Sequence, residues 1–519
     1  MTRSVLIALA LVSIAYGQTQ TGQQFPLPPA ATKFPAPDKP RKTSPTLAEV
    51  SPVLASKPLT LNGAISVALS TNPGLAEASQ NLYQAEGRVG EASAAFYPVL
   101  GVNPQEDYIK HVAAPAYIAA ATLPIDISHL LGAALDQAHF QEVQARLDVN
   151  RVRNEIVYQV TDAFFARLRA DALVSVATED LQNTLDRQYD AQARYAVRAV
   201  AFLDVARAQT DVAASKRNVI QAQANVQTAT ANLANAMGIQ ITQNLTLDPT
   251  GATQEPPGVP PPSNIPPPAD HGPIPPKPDG EGAKIAAQSA LALTLGPEFE
   301  NNVDEALQTR PEILEAQAGI AAAQKGVLIA QRSVLPSFSI SAGYYDLRTQ
   351  SGSYVNEPQA YVGLSIPIFE GGLARSRVQE ARATVATAET NVRRQVDNVT
   401  LDVQQAYLGI LQATEQVRVA NQVLSAAKTA FDIAVVRYTT GVSSTAGISP
   451  LLEVSDAQAA LTLAEQNQVN ALYDYNTARA QLDRAVGRFA YVANAPGFAS
   501  PPPPKAVGGT GQAPGNAGQ

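Results

Sequence analysis

A stripe of small and apolar residues runs through the C-terminal half of this 519-residue chain. The gaps between its members alternate between four and three residues. A sustained period of 3.5 residues is typical of α-helices that wind around one another. The chain is therefore expected to be mainly helical with closely packed helices, although a single two-helix coiled coil also satisfies the pattern. The stripe comprises Val392, Val396, Val399, Val403, Ala406, Ile410, Ala413, Val417, Ala420 and Leu424.

The two halves of the chain resemble each other. The segment ALSTNP at 68–73 recurs as ALQTRP at 306–311, and Gly238 is matched by Gly487 near the end of the second half. Internal similarity at this scale indicates two copies of one structural unit. Each copy is predicted to contain a helix, two strands, a long helix and a final helix. The copies are expected to span residues 59–247 and 298–490.

The helix lengths predicted for one copy fit together. The middle helix, at about 128–197, has a length of about 105 Å, and the flanking helices, at about 64–96 and 200–237, have lengths of about 50 and 57 Å. The two shorter helices placed end to end match the long one. Each copy is therefore expected to form one continuous and one broken column, with strands at one end and a tight turn at the other.

The segments outside the two copies have a different character. Residues 1–17 combine Arg3, a short apolar run and a small-x-small site, as secretory signal peptides do. Residues 18–58 and 248–297 are rich in proline, which cannot continue a helix or donate a backbone hydrogen bond. We expect 248–297 to be an extended or disordered linker, and 491–519 to be a disordered tail.

The segment LPSFSISAGYY, residues 335–345, interrupts this helical pattern with strict alternation. It belongs to one of two predicted β-hairpins, at about 98–127 and about 336–369, in which Pro104 is expected to interrupt the first. Strands of about ten residues are long enough to cross a bilayer when tilted. Their apolar face is expected to contact lipid; the alternative is a hairpin packed on a soluble core. In this segment the apolar face carries Phe338, Ile340, Ala342 and Tyr344.

Two hairpins supply only four strands. An open sheet in lipid leaves unpaired backbone groups at its edges, each costing several kcal/mol. Copies from other chains are therefore needed to close the sheet: two chains give eight strands and three give twelve. An eight-stranded barrel is filled by its own side chains, so an open conduit favours three or more chains.

Composition excludes several classes of function. There are no cysteines, two methionines and four histidines, so disulfides and thiolate metal sites are excluded and no metal or cofactor site is predicted. A net charge of −8 argues against nucleic-acid binding. The sequence contains no recognisable Ser-His-Asp set or phosphate-binding loop, so no enzymatic activity is predicted.

Two further motifs carry a family resemblance. IPIFEGG occupies residues 366–372, and RYTTG occupies 437–441 ahead of LLEVSDAQ. With the duplication, these resemble the TolC-like outer membrane efflux proteins. The resemblance implies a homotrimer with a twelve-stranded outer-membrane barrel and a periplasmic duct of coiled-coil helices. It implies a passive exit duct of a tripartite efflux or type I secretion system, working with a periplasmic adaptor and an inner-membrane pump. A soluble periplasmic scaffold or adaptor is the alternative.

The resemblance also implies roles for residues at the predicted turns. Glu453 and Asp456 match acidic residues that line the periplasmic entrance, although acids in a first helical turn are also favourable to the helix dipole. Asp204 and Tyr438 match a polar contact that helps to hold the entrance closed. The expected adaptor-docking positions are Arg194, Tyr195, Arg437, Tyr438 and Gly441.

The first turn departs from the family pattern. Arg198 stands where the second copy has Gly441, and additional residues lengthen the second turn. A constriction at this end is still expected, with contacts that differ from those of the relatives.

Overall fold

A computed structural model describes eight stretches of the chain, which together include most of both predicted copies. The expected signal peptide and tail, Gly441 and most of the Pro-rich linker lie outside them. The stretches are residues 44–50, 58–109, 112–240, 245–250, 253–262, 296–348, 354–440 and 450–488.

The elements follow the same order in each half: two short helices, two strands, one very long helix and one of intermediate length, with a further short turn of helix at the start. They are α1 (Leu47–Val50), α2 (Leu61–Thr71), α3 (Pro73–Ala94), β1 (Val99–Ile109), β2 (Val112–Ile125), α4 (Leu130–Ala196), α5 (Phe202–Met237), α6 (Pro297–Thr309), α7 (Pro311–Arg332), β3 (Ser337–Arg348), β4 (Tyr354–Ser365), α8 (Leu373–Thr440) and α9 (Pro450–Val486).

The long helices α4 and α8 organise the packing. They contain 67 and 68 residues, which gives each a length of about 100 Å. Helices α3, α5, α7 and α9 all pack along α4, while α7 and α9 also pack along α8. The predicted heptad stripe of α8 supplies much of its buried face, including Val403 and Val417.

None of the helices in the described stretches has a run of apolar residues sufficient to cross a membrane.

The prediction of one unbroken first helix at about 64–96 is wrong. The chain forms two helices there, because Pro73 occupies the first position of α3 and excludes the α conformation at the preceding residue. Asn72 accordingly has an extended conformation, with φ −64° and ψ 124°. Its side-chain oxygen accepts a hydrogen bond from the backbone N–H of Gly74 at 2.8 Å and so caps α3. The second half breaks in the same way, at Arg310 before Pro311.

Each break docks against the end of a later helix. The Thr71 hydroxyl donates to the carbonyl of Met237 at 2.6 Å, and the Thr309 hydroxyl donates to the carbonyl of Val486 at 2.8 Å. Gly238 ends α5 with a φ of 70°. A side chain there would approach the backbone of the Thr71–Asn72 break to 2.9 Å. Glycine is therefore needed both for its conformation and for the closeness of this contact.

The largest apolar core surrounds the first of these joints. It joins α2, α4 and α5, and it also receives Tyr473 from α9 in the second half. Phe164 and Leu233 at its centre are fully buried. Burial of this apolar surface fixes the two halves together well away from the turns.

The four strands form one antiparallel sheet in the order β1-β2-β3-β4. The two hairpins join through the β2–β3 pair. Contrary to expectation, Pro104 does not interrupt the first hairpin, because it lies within β1 opposite Tyr117. Within one chain β1 is an edge strand of the sheet, where proline is tolerated.

The register aligns residues of the same kind across three strands. Leu123, Ile340 and Val362 lie side by side, since Leu123 is opposite Ile340 and Ile340 is opposite Val362. The next row on this face contains Ile125, Phe338 and Leu364. The other face is more polar, and there the Thr122 and Ser341 hydroxyls lie 3.1 Å apart. The sheet thus has one apolar face that runs across both hairpins.

Replacement of Gly238 by alanine tests the joint between the break and α5. Gly238→Ala should destabilise the fold by about 2 kcal/mol, because alanine disfavours positive φ and its Cβ would overlap the break. A lower apparent melting temperature in detergent is the expected result. Gly409→Ala is the matched control, since that helical glycine has no atom within 4 Å of an added Cβ. Equal behaviour of the two variants would contradict the proposed contact.

Candidate functional site at the helix turns

The α4–α5 turn places an arginine, Arg198, in a backbone conformation that glycine usually adopts. Arg198 has a φ of 61°, in the left-handed region that glycine usually occupies. The N–H of Ala199 donates to the carbonyl of Arg194 at 2.9 Å, and the N–H of Arg198 donates to the carbonyl of Tyr195 at the same distance. These bonds satisfy carbonyls at the helix end and stabilise the turn.

Arg194 connects the first half to the second. Its guanidinium carbon lies 4.0 Å from the ring centroid of Tyr438, in the geometry of a cation–π contact. Its Nη1 also donates to the backbone carbonyl of Tyr438 at 3.3 Å. Two expected docking residues, Arg194 of α4 and Tyr438 of α8, are therefore in direct contact.

Tyr438 is buried among small and apolar side chains from four helices, including Ala191, Val205 and Leu451. Burial raises the pKa of its phenol, the nearby Arg194 opposes this, and the carboxylates of Asp190 and Asp204 add to it. Asp204 is itself 7% exposed. Within the described residues the influence of Asp204 on Tyr438 is electrostatic, with no hydrogen bond between them, whereas Arg194 contacts Tyr438 directly.

The two acidic residues expected to line the entrance, Glu453 and Asp456, lie in the first two turns of α9. The carboxylate of Glu453 is 3.8 Å from Nη1 of Arg437 on α8, and its side chain is largely buried. Asp456, one turn later, is exposed and lines a cleft between α4, α5 and α9. The site thus includes Arg437 and Glu453 as a pair. Gly441 lies outside the described residues.

Aromatic side chains are exposed at the first turn. The rings of Tyr195 and Phe202 are 5.8 Å apart in an edge-to-face arrangement. Tyr195 is 46% exposed and Phe202 62% exposed. Val197 and Leu203 are exposed beside them, so this turn presents an apolar surface to its surroundings.

A buried polar cluster further along the helices was not identified from the sequence. Asp180 of α4 accepts hydrogen bonds from the hydroxyls of Ser215 on α5, at 2.5 Å, and Thr462 on α9, at 3.0 Å. The side-chain amide of Gln458 donates to the Thr462 hydroxyl at 3.2 Å. All four residues are buried. Asp180 therefore connects three helices and both halves of the chain.

A second polar contact lies closer to the turns. The Ser455 hydroxyl of α9 donates to the Asp211 carboxylate of α5 at 3.1 Å. Both residues line the cleft beside Asp456, whose volume is 550 Å³. Arg187 also lines it, and burial lowers the pKa of its guanidinium, although the carboxylates of Asp211 and Asp180 oppose that shift. The helices therefore meet at this level through polar groups.

The sequence does contain a signal for this cluster. The buried residues Ala177, Asp180, Thr184 and Ala191 of α4 fall on one stripe, and Arg187 takes the remaining place at the 3–4 spacing. Charged residues at stripe positions face neighbouring helices and need partners there. The spacing identifies Asp180 and Arg187 as interface residues, but their partners on α5 and α9 are far away in the sequence.

Comparison with known proteins places this geometry in a family. The family model described as outer membrane efflux protein matches residues 64–239 and 302–488, which is most of both halves. The chain belongs to the outer membrane efflux protein family. Its place is accordingly the outer membrane, with the helical part in the periplasm, and the predicted resemblance is confirmed.

Individual relatives agree with this assignment. Outer membrane protein TolC of Vibrio cholerae is 26% identical over 199 residues, a match that covers 36% of this chain and 42% of that protein. Among solved structures, CusC superposes with a TM-score of 0.65 at 17% identity, covering 82% of this chain and 91% of CusC. The open state of the MtrE outer membrane channel of Neisseria gonorrhoeae has a TM-score of 0.63 at 17% identity, with 82% and 88% covered. These structures share the fold of this efflux protein.

A double-mutant cycle tests the polar cluster of the efflux protein. Asp180→Ala and Thr462→Val should show a coupling free energy of about 1.5 kcal/mol, because hydrogen bonds to a charged acceptor contribute that amount. The measurement is the unfolding free energy or apparent melting temperature of both single variants and the double variant. Thr414→Val is the control partner, since its hydroxyl bonds only within α8 to the Ile410 carbonyl. Additive effects in both pairs would argue against the Asp180–Thr462 bond.

Proposed function

We propose that this chain is the outer-membrane exit duct of a tripartite efflux or type I secretion system, a passive conduit gated at its periplasmic turns. The observation that carries the proposal is the aligned apolar face of the four-stranded sheet at one end of long helical columns. Val362 and Leu364 on that face are 67% and 58% exposed in the single chain. Exposed apolar rows on bilayer-length strands suit contact with lipid.

A homotrimer completes the sheet. Strands β1 and β4 are its outer strands, and the described part of one chain provides no further strand to pair with either. Backbone groups left unpaired in lipid are costly, so β4 of one copy is proposed to pair with β1 of the next. Three copies give a twelve-stranded barrel. The proposed repeats are 59–247 and 298–490. We assign 1–17 to a removed signal peptide, 18–58 to a Pro-rich N-terminal segment, 248–297 to the linker between the repeats, and 491–519 to a tail.

Closure of the turn end is assigned to the contacts between halves. Arg194 with Tyr438, Asp211 with Ser455 and Asp180 with Thr462 each join the first half to the second. They occur at successive levels away from the turns. Polar contacts of this kind can be exchanged for water when helices separate, whereas an apolar interface resists separation. Asp204 contributes through its charge beside Tyr438.

Partners are proposed for the exposed part of the turns. Arg194, Tyr195, Arg437 and Gly441 are assigned to docking of a periplasmic adaptor, which connects the duct to an inner-membrane pump. The exposed aromatic pair of Tyr195 and Phe202 supports this assignment, because aromatic and arginine side chains are favoured at protein interfaces. A soluble periplasmic scaffold is less well supported, since it requires neither bilayer-length strands nor an apolar sheet face.

The native mass of the protein extracted from outer membranes by detergent tests the duct directly. The expected result is a species of three chains in the outer-membrane fraction, since three copies complete the proposed barrel. A soluble monomer or dimer in the periplasmic fraction would instead favour the scaffold.

Replacement of Glu453 and Asp456 tests the proposal that these two acids line the periplasmic entrance of the duct in a ring. Glu453→Ala combined with Asp456→Ala should reduce cation preference in planar-bilayer conductance, because three chains would each bring two carboxylates to the entrance. Glu300→Gln is the matched control, as that exposed acid lies on α6 away from the turns. Unchanged cation selectivity in the double variant would show that neither residue lines the entrance.

A further inference from the structure

The Pro-rich linker contains a bound segment. Residues 253–262 were expected to be extended or disordered, yet they lie against α8 and α9 through specific contacts. The backbone N–H of Gln254 donates to Oδ1 of Asn476 at 2.8 Å, and Nδ2 of Asn476 donates to the carbonyl of Gln254 at 3.1 Å. Asn476 is 2% exposed. One buried side-chain amide thus recognises both hydrogen-bonding groups of a linker residue.

A tight turn follows this contact. The sequence Pro256-Pro257-Gly258-Val259 has proline in the second position and a glycine with φ 78° in the third, as a type II turn requires. The N–H of Val259 lies 3.4 Å from the Pro256 carbonyl, which closes the turn. Beyond it, Nδ2 of Asn421 on α8 donates to the carbonyl of Pro260 at 3.0 Å. The proline-rich composition thus specifies a defined shape here.

Apolar contacts complete the site. Val259 packs against a buried cluster that α8 and α9 form together, with Ala413, Val417 and Ala420 from α8 and Ala471 and Tyr475 from α9. Pro256 is buried as well. The alanines among these helical residues leave room for the valine of the turn. The segment therefore contacts both helices of the second-half pair at once.

The position of this segment along the helices determines how much of α8 and α9 could move if the turn end opens. It contacts α8 about 30 Å and α9 about 40 Å from the α8–α9 turn. At and beyond this level α9 is held to α4 by Tyr473, which enters the apolar core around Phe164. The ion pairs Arg169 with Asp474 at 2.6 Å and Glu155 with Arg484 at 2.7 Å add to this contact. Nearer the turn, hydrogen bonds such as Asp180 with Thr462 and Asp211 with Ser455 make the connection.

We propose that residues 253–262 form a clasp, a proline-rich segment bound within its own chain, that holds α8 and α9 together. When the turn end opens, the part of this helix pair between the clasp and the α8–α9 turn moves, and the clasp sets where that movement stops. The clasp site consists of Asn421, Asn476 and the small-residue channel between the two helices. The movement rests on the proposed function as a gated duct, whereas the binding of the clasp does not.

Thiol labelling tests the binding. The natural chain has no cysteine, so Val259→Cys provides a single reporter. Adding Gly258→Ala should raise its maleimide labelling rate about fivefold, because a residue with a side chain disfavours positive φ and more of the clasp is released. No atom lies within 4 Å of the added Cβ, so the effect comes from the backbone alone. Gly296→Ala is the matched control, with an ordinary φ and equally open surroundings.

The labelling rates of the three variants distinguish a bound clasp from a free linker. Slow labelling of Val259→Cys relative to the unfolded chain, accelerated by Gly258→Ala and unchanged by Gly296→Ala, supports the clasp. Labelling at the rate of the unfolded chain, or equal rates in the two alanine variants, overturns it.

Bilayer conductance tests the movement. Asp180→Ala weakens closure, and combining it with Gly258→Ala should change the open conductance by at least twofold if the clasp sets the moving level. The same conductance with and without Gly258→Ala overturns that role, while the labelling result still reports on binding. Absence of any channel in bilayers counts against the proposed duct and leaves the clasp to be judged by its labelling.

Discussion

Backbone hydrogen bonding at the edges of the four-stranded sheet is the constraint on which the rest of this efflux protein depends. Its strands carry an apolar face, aligned from Leu123 through Ile340 to Val362, whose exposed members Val362 and Leu364 suit contact with lipid. In lipid, no solvent is available to satisfy the outer strands β1 and β4. The proposed solution, closure with other copies, also determines how many helical columns meet below the sheet.

The helical part combines two kinds of interface. Away from the turns, apolar cores around Phe164 and Leu233 and tight joints at Gly238 and Gly487 hold the elements together. Towards the turns, charged and hydroxyl side chains such as Asp180 and Ser455 join the two halves, alongside a smaller apolar cluster around Tyr438. An apolar core resists separation, whereas polar contacts can exchange with water at modest net cost. The larger share of polar contacts near the turns is consistent with the proposed opening of the duct at that end.

Part of the proline-rich linker is also held in place by contacts with the helices. Proline prevents residues 253–262 from forming a helix or pairing as a strand, but it also reduces the conformational entropy lost on binding. Asn476 and Asn421 hydrogen-bond to backbone groups of this restrained segment, and Gly258 supplies the turn. A segment that composition describes as a spacer therefore acquires a specific position from the helices it touches.

The sequence by itself determined the helical class, the two similar halves, the strand positions and the family, because periodicity and turn residues act locally. Pro73 and Pro311 also specify the two helix breaks, although the breaks were not recognised in advance. The partners of Asp180, Arg194 and Asn476 were decided only by the tertiary structure. Each contacts a residue far away in the chain, and local propensity holds no information about which helix faces meet. The register that aligns Leu123 with Ile340, and the docking of a proline-rich segment, likewise depend on packing between distant elements.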